Sequence, residues 1–163
     1  MRKNISELLT RSAVILELTA KEKEAVIKEL AAPLIQSGLV TNETEFVNAI
    51  LRRENLESTG IGLGVAIPHA RTNSTTTTVI AFGRSRVGID FSSLDGKPSY
   101  LIFLIASPET MKREYIWTLA KLSSLLRRDE VRTGLIEAQT IDEVYTIIER
   151  YESTTGGVSR QRG

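Results

Sequence analysis

His69 is the only histidine of the chain, so any chemistry that needs an imidazole has a single candidate. The unperturbed pKa of histidine is about 6.5, so a neutral ring can act near pH 7 as a general base or as a nucleophile. The residue ends the segment STGIGLGVAIPH, residues 58–69, in which Gly60, Gly62 and Gly64 alternate with other residues. Such glycines let a backbone approach a ligand closely or adopt positive φ angles. A lone histidine is most often a plain core or surface residue, but this setting makes His69 a candidate functional residue.

Three other kinds of site fit the glycine segment poorly. A dinucleotide-binding fingerprint needs a glycine at Val65 or Ile67 and follows a strand, whereas a helix is predicted before this segment. A P-loop needs a following Gly-Lys-Ser/Thr sequence, which is absent. The Gly-x-Ser-x-Gly elbow of serine hydrolases does not occur in the chain. The plain structural alternative is a glycine turn that leads into a strand.

An arginine lies at the end of the helix predicted before the glycine segment. Asn42 begins this helix, and its apolar face consists of Phe46, Val47, Ile50 and Leu51. Arg53 follows Ile50 by three residues and lies close to that face, whereas Arg52 is rotated by about 100° and is interpreted as solvated. An arginine on the buried side needs a reason, and its planar, permanently charged guanidinium is suited to orient phosphate oxygens.

The residues before His69 restrict its backbone. Pro68 fixes its own φ and pushes Ile67 toward an extended conformation, so we expect His69 just past the end of a strand. Strand ends are the places where the sites of α/β proteins gather. A neutral imidazole beside Arg53 favours nucleophilic attack on a phosphoryl group, and free N–H groups of the glycine segment add further donors.

The composition excludes several function classes. The 163 residues carry a net charge of +1, which gives no reason to expect nucleic acid or a membrane surface as a partner. Because there is no cysteine and one histidine, disulfides, thiolate nucleophiles and zinc sites with sulfur and nitrogen ligands are excluded. The longest apolar stretch, residues 100–106, is far shorter than the ~20 residues of a membrane span, and no signal-type apolar core begins the chain. A cytoplasmic protein without a metal is expected.

Segments of strand and helix type alternate along the chain, which predicts the α/β class. Runs of β-branched and aliphatic residues predict strands at 13–16, 65–67, 78–82 and 100–106. A turn is predicted at Asp95-Gly96, between the last two strands. We expect one domain over residues 1–152 and a disordered tail over residues 153–163, because the tail is small, polar and basic.

A helix that precedes the one at Asn42 is predicted from its capping residues and from the spacing of its apolar residues. Thr19 and Glu22 have the spacing of a capping box, in which each side chain caps the other residue's backbone N–H. The helix should bury one face, formed by Val26, Ile27, Leu30, Ala31 and Leu34. Pro33 is expected to kink or end it, and Gly38 marks its exit.

The C-terminal half is predicted to be helical after residue 107. Ser107 as the cap and Pro108 in the first turn begin a long helix that carries Tyr115 on its apolar stripe. A short helix is expected over residues 130–136. A second capping box, at residues 140–143, begins the last helix.

The residues singled out above resemble a known family. Arg53-Glu54 and the pattern STGIGxGxAIPH of residues 58–69 are similar to the signature of the phosphotransferase-system (PTS) enzyme IIA family of the fructose, mannitol and nitrogen-regulatory type, called type 2. The resemblance extends over about residues 5–152. It implies a single domain with a mixed central β-sheet flanked by helices. It also implies that His69 accepts a phosphoryl group from the phosphohistidine of an HPr-type carrier, stabilised by Arg53, with no metal or other cofactor.

The resemblance also suggests which other residues bind the phosphoryl group, and it has one relevant departure. The expected binding residues are Thr59, Gly60, Gly62, Gly64 and Tyr115. Many family members carry one or two histidines early in the long C-terminal helix, and the matching positions here are Tyr115 and Trp117. A tyrosine hydroxyl can donate a hydrogen bond to a phosphoryl oxygen but carries no positive charge at neutral pH. A purely structural Tyr115 stays open as an alternative, and Trp117 is expected to pack or to face a partner. Leu63 stands where many relatives have a polar residue.

Two roles are compatible with this chemistry. A regulatory protein of the nitrogen branch would use its phosphorylation state to control binding to a target protein. A sugar-transport IIA protein would pass the phosphoryl group to a fructose/mannitol-type IIB component. The sequence contains no fused IIB domain or membrane segment, which favours the regulatory role.

Overall fold

The computed structural model describes the backbone of residues 3–162 and the side chains of residues 3–153. Apart from Ser153, the tail predicted over residues 153–163 lies outside the residues whose side chains are described, so its disorder and the domain boundary stay predictions. In the described part of the chain, no helix has the length and apolar character that crossing a bilayer requires.

One mixed β-sheet forms the centre of the described chain. Its strands are β1 (Leu9–Ile15), β2 (Gly60–Gly62), β3 (Val65–Ala66), β4 (His69–Arg71), β5 (Val79–Ile89) and β6 (Ser99–Ser107). The order is β1-β5-β6-β3-β2, and β4 also pairs with β6, beyond the end of β3. The β1–β5, β3–β6 and β4–β6 pairs are parallel, whereas β5–β6 and β2–β3 are antiparallel. The predicted α/β class with a mixed sheet is confirmed.

Helices cover both faces of the sheet. They are α1 (Ile5–Leu8), α2 (Lys23–Gln36), α3 (Glu43–Leu56), α4 (Lys112–Leu126), α5 (Asp129–Glu137) and α6 (Ile141–Arg162), with a 3₁₀ turn at Glu109–Met111. The caps predicted for α3 and α6 are confirmed: Asn42 Oδ1 accepts the N–H of Glu45 at 3.0 Å, and Thr140 and Glu143 cap each other at 3.0 and 3.1 Å.

The sheet separates two apolar layers. Because side chains alternate along a strand, β6 contributes to both, with Leu101, Phe103 and Ile105 in the first layer and Ile102, Leu104 and Ala106 in the second. The first layer is covered mainly by α4, α5 and α6, and the second by α2 and α3. Burial on both faces explains why β6 is a continuous apolar run rather than an alternating one.

The capping box predicted for α2 does not form, and the helix does not end at Pro33. The helix begins at Lys23, so Thr19 and Glu22 form no capping box. Glu29, on the first turns of α2, instead accepts the backbone N–H groups of Thr19 and Ala20, at 3.1 and 2.8 Å from its nearer oxygens. The helix continues through Pro33 to Gln36, because the next residue, Leu34, is fully buried and anchors the last turn. The predicted buried face and the exit at Gly38, with φ +84°, are confirmed.

Two other boundaries differ from the prediction. Ser107 does not cap a helix, because it is the last residue of β6 and its hydroxyl bonds to that of Thr78 at 2.7 Å. Pro108 is extended and is followed by the 3₁₀ turn, so α4 begins only at Lys112. His69 lies three residues past the end of β3, as predicted, and it also begins a strand of its own, β4, which was not predicted.

Candidate active site

His69 is held at the beginning of β4 by backbone contacts with β6. It pairs with Ile105, and the carbonyl of the preceding Pro68 accepts the N–H of the same Ile105 at 3.0 Å. Proline lacks an N–H but keeps this acceptor, so the sequence Pro-His is compatible with the start of a parallel strand. The imidazole is half-buried, and its centroid lies 5.9 Å from that of the Tyr115 ring on α4.

A single hydrogen bond fixes the tautomer of His69. The ring nitrogen Nδ1 lies 2.5 Å from the carbonyl oxygen of Ile67. A carbonyl oxygen can only accept, so Nδ1 must carry the proton. In the neutral ring, the lone pair then resides on Nε2. The geometry therefore presents Nε2 as the nucleophilic atom.

The environment keeps His69 neutral. Burial of the ring is the largest cause and lowers its pKa below the usual 6.5. The bond to the Ile67 carbonyl acts in the opposite direction, the positive charge of Arg53 lowers the pKa further, and the carboxylate of Glu54 raises it, with a net lowering. At pH 7 the ring is therefore predominantly uncharged and its lone pair is available.

Arg53 is placed at the end of α3 by the turn that follows it. Its Nη1 donates to the carbonyl of Glu57 at 2.7 Å, which holds the guanidinium where the chain leaves the helix toward the glycine segment. The side chain is half-buried, and its charge lowers the pKa values of both His69 and Tyr115. The structure thus brings His69, Arg53 and Tyr115 together, as the sequence predicts.

Tyr115 lies near the beginning of α4, with its side chain half-buried against the first apolar layer. Burial raises the pKa of its hydroxyl above 10, and this outweighs the charges of Arg53 and Arg71, which lower the pKa. The hydroxyl therefore stays protonated at neutral pH and can donate a hydrogen bond. Packing and donation are compatible in one residue, so the two interpretations left open by the sequence do not exclude each other.

A cleft of about 640 Å³ opens beside this group, between the end of α3 and the beginning of α4. Arg53, Arg71 and Tyr115 line it, together with the exposed side chain of Leu56. Arg71 was not singled out from the sequence. The signal was available, because it follows His69 by two residues on β4, and such residues face the same side of a strand. Arg52 also lines the cleft, which is therefore bordered by three arginines.

Most of the glycine segment serves the fold rather than the imidazole. Val65 pairs with Leu101 but His69 with Ile105, so the Gly62–Gly64 turn lies at least four residues, roughly 13 Å, along β6 from His69. Gly62 and Gly64 have φ angles of +87° and +77°, which the tight turn between β2 and β3 requires. The structure does not bring these two glycines to the imidazole.

Three backbone donors of the segment are already engaged. The N–H of Thr59 donates to Glu54 at 3.0 Å, that of Gly60 to the Ser58 hydroxyl at 3.0 Å, and that of Leu63 to Asp95 at 3.1 Å. Thr59 lies nearer to His69 than the turn does, since its carbonyl accepts the N–H of Ile67 at 3.0 Å. Direct phosphoryl contacts from this segment stay predictions, with Thr59 and Gly60 placed more favourably than Gly62 and Gly64.

Comparisons with known proteins show the family of the chain. Residues 7–151 match the family described as "Phosphoenolpyruvate-dependent sugar phosphotransferase system, EIIA 2". The chain is 44% identical over 148 residues to the PTS system fructose-specific EIIABC component of Bacillus subtilis, which covers 91% of this chain but 23% of that protein. The chain thus spans about a quarter of the length of this relative.

Two further similarities cover nearly the whole of the proteins concerned. A nitrogen regulatory protein of Bradyrhizobium diazoefficiens is 31% identical over 145 residues, which cover 88% of this chain and 94% of that protein. The crystal structure of the nitrogen regulatory protein IIA-Ntr from Neisseria meningitidis superimposes with a TM-score of 0.81 at 32% identity, over 88% of this chain and 98% of that one. The chain belongs to the EIIA type 2 family of the phosphoenolpyruvate-dependent sugar phosphotransferase system.

Proposed function

We propose that the protein is a phosphohistidine carrier, in which Nε2 of His69 accepts a phosphoryl group from the phosphohistidine of an HPr-type protein. The observation that carries the proposal is the bond from Nδ1–H to the Ile67 carbonyl, which leaves the Nε2 lone pair free. The lowered pKa of His69 supports it, because no proton must leave the ring before attack.

The transfer balances without an external acid or base. The Nε2 lone pair forms the new N–P bond while the N–P bond of the donor breaks in line, and its electron pair returns to the donor ring. A donor ring protonated on its other nitrogen leaves as a neutral imidazole. The His69 ring keeps its Nδ1 proton, and the Ile67 carbonyl stabilises the positive charge that the ring acquires.

The charges around His69 suit the transferred group. We propose that Arg53 neutralises the equatorial phosphoryl oxygens and that the Tyr115 hydroxyl donates a hydrogen bond to one of them. Both side chains line the cleft that also contacts Ala70 and Arg71, the two residues that follow His69 on β4. Catalysis would then consist of positioning and electrostatic stabilisation, with no role for a metal or a nucleotide.

The test is labelling with phosphoenolpyruvate, enzyme I and an HPr-type carrier. We expect the native protein to take up one phosphoryl group on Nε2, identified by the nitrogen and phosphorus NMR shifts of the phosphorylated ring. The variant His69→Ala should take up none, while its circular dichroism stays native. Stoichiometric labelling of His69→Ala would exclude His69 as the acceptor, and phosphorylation on Nδ1 would refute the argument from the tautomer.

The branch of the system is a separate question with two candidates. The nitrogen-branch regulatory role is supported by the superposition on the Neisseria protein and by the Bradyrhizobium relative. The transport role, in which a fructose/mannitol-type IIB component receives the phosphoryl group, is supported by the higher identity, 44%, to the Bacillus fructose-specific component. On identity, the transport role gains the stronger support. Either role would place the protein in the cytoplasm with its HPr-type donor.

Phosphorylation rates with separate partners distinguish these candidates. HPr and its nitrogen-branch counterpart are supplied one at a time, and the phosphorylated protein is then mixed with a fructose-type IIB domain. Faster phosphorylation by HPr and transfer to IIB would support transport. Faster phosphorylation by the nitrogen-branch carrier, with no transfer to IIB, would support the regulatory role.

A further inference from the structure

A continuous chain of hydrogen bonds connects a buried carboxylate to the imidazole. Glu54 Oε2 accepts the N–H of Thr59 at 3.0 Å, and the carbonyl of Thr59 accepts the N–H of Ile67 at 3.0 Å. The carbonyl of Ile67 in turn accepts Nδ1–H of His69 at 2.5 Å. Glu54 therefore fixes the backbone of Thr59, and Thr59 fixes the backbone of Ile67, whose carbonyl sets the tautomer of His69.

The carboxylate at the start of this chain is held in place from several sides. Glu54 is 3% exposed, and its second oxygen accepts the hydroxyl of Thr59. Lys23, at the beginning of α2, contacts Oε2 at 3.2 Å and supplies the counter-charge. A buried carboxylate normally costs stability unless it is paired and fully hydrogen-bonded, and here both conditions are met.

We infer that Glu54 is a positioning residue for His69, acting through the backbone of Thr59 and Ile67 to hold Nδ1–H and to leave Nε2 free. The bonds to Thr59 and Ile67 hold the Ile67 carbonyl in position to accept Nδ1–H. The negative charge of Glu54 also acts on the ring through space and favours the protonated imidazole. The effect on transfer rests on the proposed function, whereas the effect on the ring does not.

If Glu54 had only a structural role, a different result would be expected. The carboxylate would then only connect the end of α3 to the beginning of β2, and any stable replacement would leave the pKa and the tautomer of His69 unchanged. If Glu54 acts on the ring, removing its negative charge must alter the protonation of His69 even when the fold is intact. The readout is therefore the imidazole of the unphosphorylated protein, which requires no donor protein.

The first variant is Glu54→Gln, which keeps an oxygen acceptor for the Thr59 N–H and removes the charge. Nitrogen NMR of the unphosphorylated protein should show a His69 pKa below that of the native protein and a smaller share of the Nδ1–H tautomer. In the transfer assay, kcat should fall about fivefold with KM unchanged, because the ring becomes less basic while its approach to the donor stays the same. Glu29→Gln is the matched control, since Glu29 also accepts backbone N–H groups but is not connected to this chain.

The second variant is Lys23→Met, which removes the counter-charge and leaves Glu54 in place. The His69 pKa should rise, because the negative charge of Glu54 is then less compensated. Shifts of opposite sign in the two variants would support the inference. A native His69 pKa and tautomer in folded Glu54→Gln would overturn it, and if that variant does not fold, an unchanged pKa in Lys23→Met would overturn it instead. If the native protein were not phosphorylated by the HPr-type carrier, the proposed function would be refuted, but these NMR results would be unaffected.

Discussion

At the residue scale, the proposed mechanism uses one neutral ring, His69, and one fixed cation, Arg53. His69 is neutral because burial lowers its pKa, and its tautomer is set by the Ile67 carbonyl. Arg53 supplies the charge that the ring lacks. Tyr115 stands at one of the two positions where the family resemblance leads us to expect a histidine, and its raised pKa keeps it a neutral donor. In the proposed mechanism, the positive charge that faces the phosphoryl group therefore comes from Arg53 rather than from a second imidazole.

Arg53→Ala should slow phosphoryl transfer by about tenfold or more, because the equatorial oxygens lose their charged donor. The fold should persist, since the substitution removes one hydrogen bond within the protein, to the Glu57 carbonyl, worth about 1 kcal/mol. The His69 pKa should rise in the same variant, because the charge of Arg53 lowers it in the native protein. Rapid-quench kinetics and an NMR titration measure the two effects.

Arg53→Lys and Arg86→Ala serve as controls. Lysine keeps the charge without the planar fork, so its transfer rate should lie between those of the native protein and Arg53→Ala. Arg86 is an exposed arginine paired with Glu17, and its removal should leave the rate unchanged. A native transfer rate in Arg53→Ala would show that Arg53 does not stabilise the transferred phosphoryl group.

At the scale of elements, the glycine segment builds the strand that leads toward His69. Gly60 is buried in β2, and a Cβ at this position would lie 3.1 Å from the backbone Cα of Ser93, with the Ser93 hydroxyl closer still. The requirement for glycine here is therefore steric, and it comes from the loop that packs on β2. At Gly96 the requirement is conformational, since φ is +72° but no atom lies within 4 Å of an added Cβ.

Gly60→Ala should therefore destabilise the protein more than Gly96→Ala. The overpacked site should lower the free energy of unfolding by about 1–3 kcal/mol, and backbone relaxation should displace the segment preceding His69. Gly96→Ala should cost roughly 1 kcal/mol, from its positive φ alone. Chemical denaturation measures both variants, and equal losses in the two would show that packing against Ser93 does not determine the requirement.

The elements predicted correctly from the sequence are those determined by local signals. The buried face of α2 follows from a period of 3.6 residues, and the caps of α3 and α6 follow from residues three positions apart. The elements that were missed depend on distant partners. Strands β2 and β4 are three residues long and exist because β3 and β6 pair with them. The Thr19 N–H is bonded by Glu29, ten residues away, which no capping rule anticipates.

The site was predictable to a similar degree and for the same reason. His69, Arg53 and Tyr115 are recognisable from residue type, spacing and resemblance, and the structure brings them together. The hydrogen-bond chain from Glu54 was not predicted, because it runs through backbone groups of two segments whose pairing is not determined by a local pattern. Resemblance pointed to Glu54 as part of a motif without giving its hydrogen-bond partners.

At the scale of the whole molecule, the pH dependence of the free energy of unfolding reports on the pKa of His69, because the chain has a single histidine. The chain has one histidine and no cysteine, so His69 is the only side chain with an unperturbed pKa between about 5 and 8. The pKa of His69 is about 6.5 in the unfolded chain and lower in the folded protein. Between these two values the unfolded state binds more protons, so the free energy of unfolding must rise with pH.

The contribution of His69 to stability is therefore fully present above pH 6.5. It is lost as the pH falls from 6.5 through the lower pKa of the folded protein, below which both states are protonated. Urea denaturation of the native protein and of His69→Gln between pH 5 and 8 isolates this contribution, because the titration of the other groups cancels in the difference. The difference should decrease toward low pH. A difference that is constant, or that increases toward low pH, would mean that the folded protein does not favour the neutral ring, and the nucleophile proposed here would then need a base to deprotonate it.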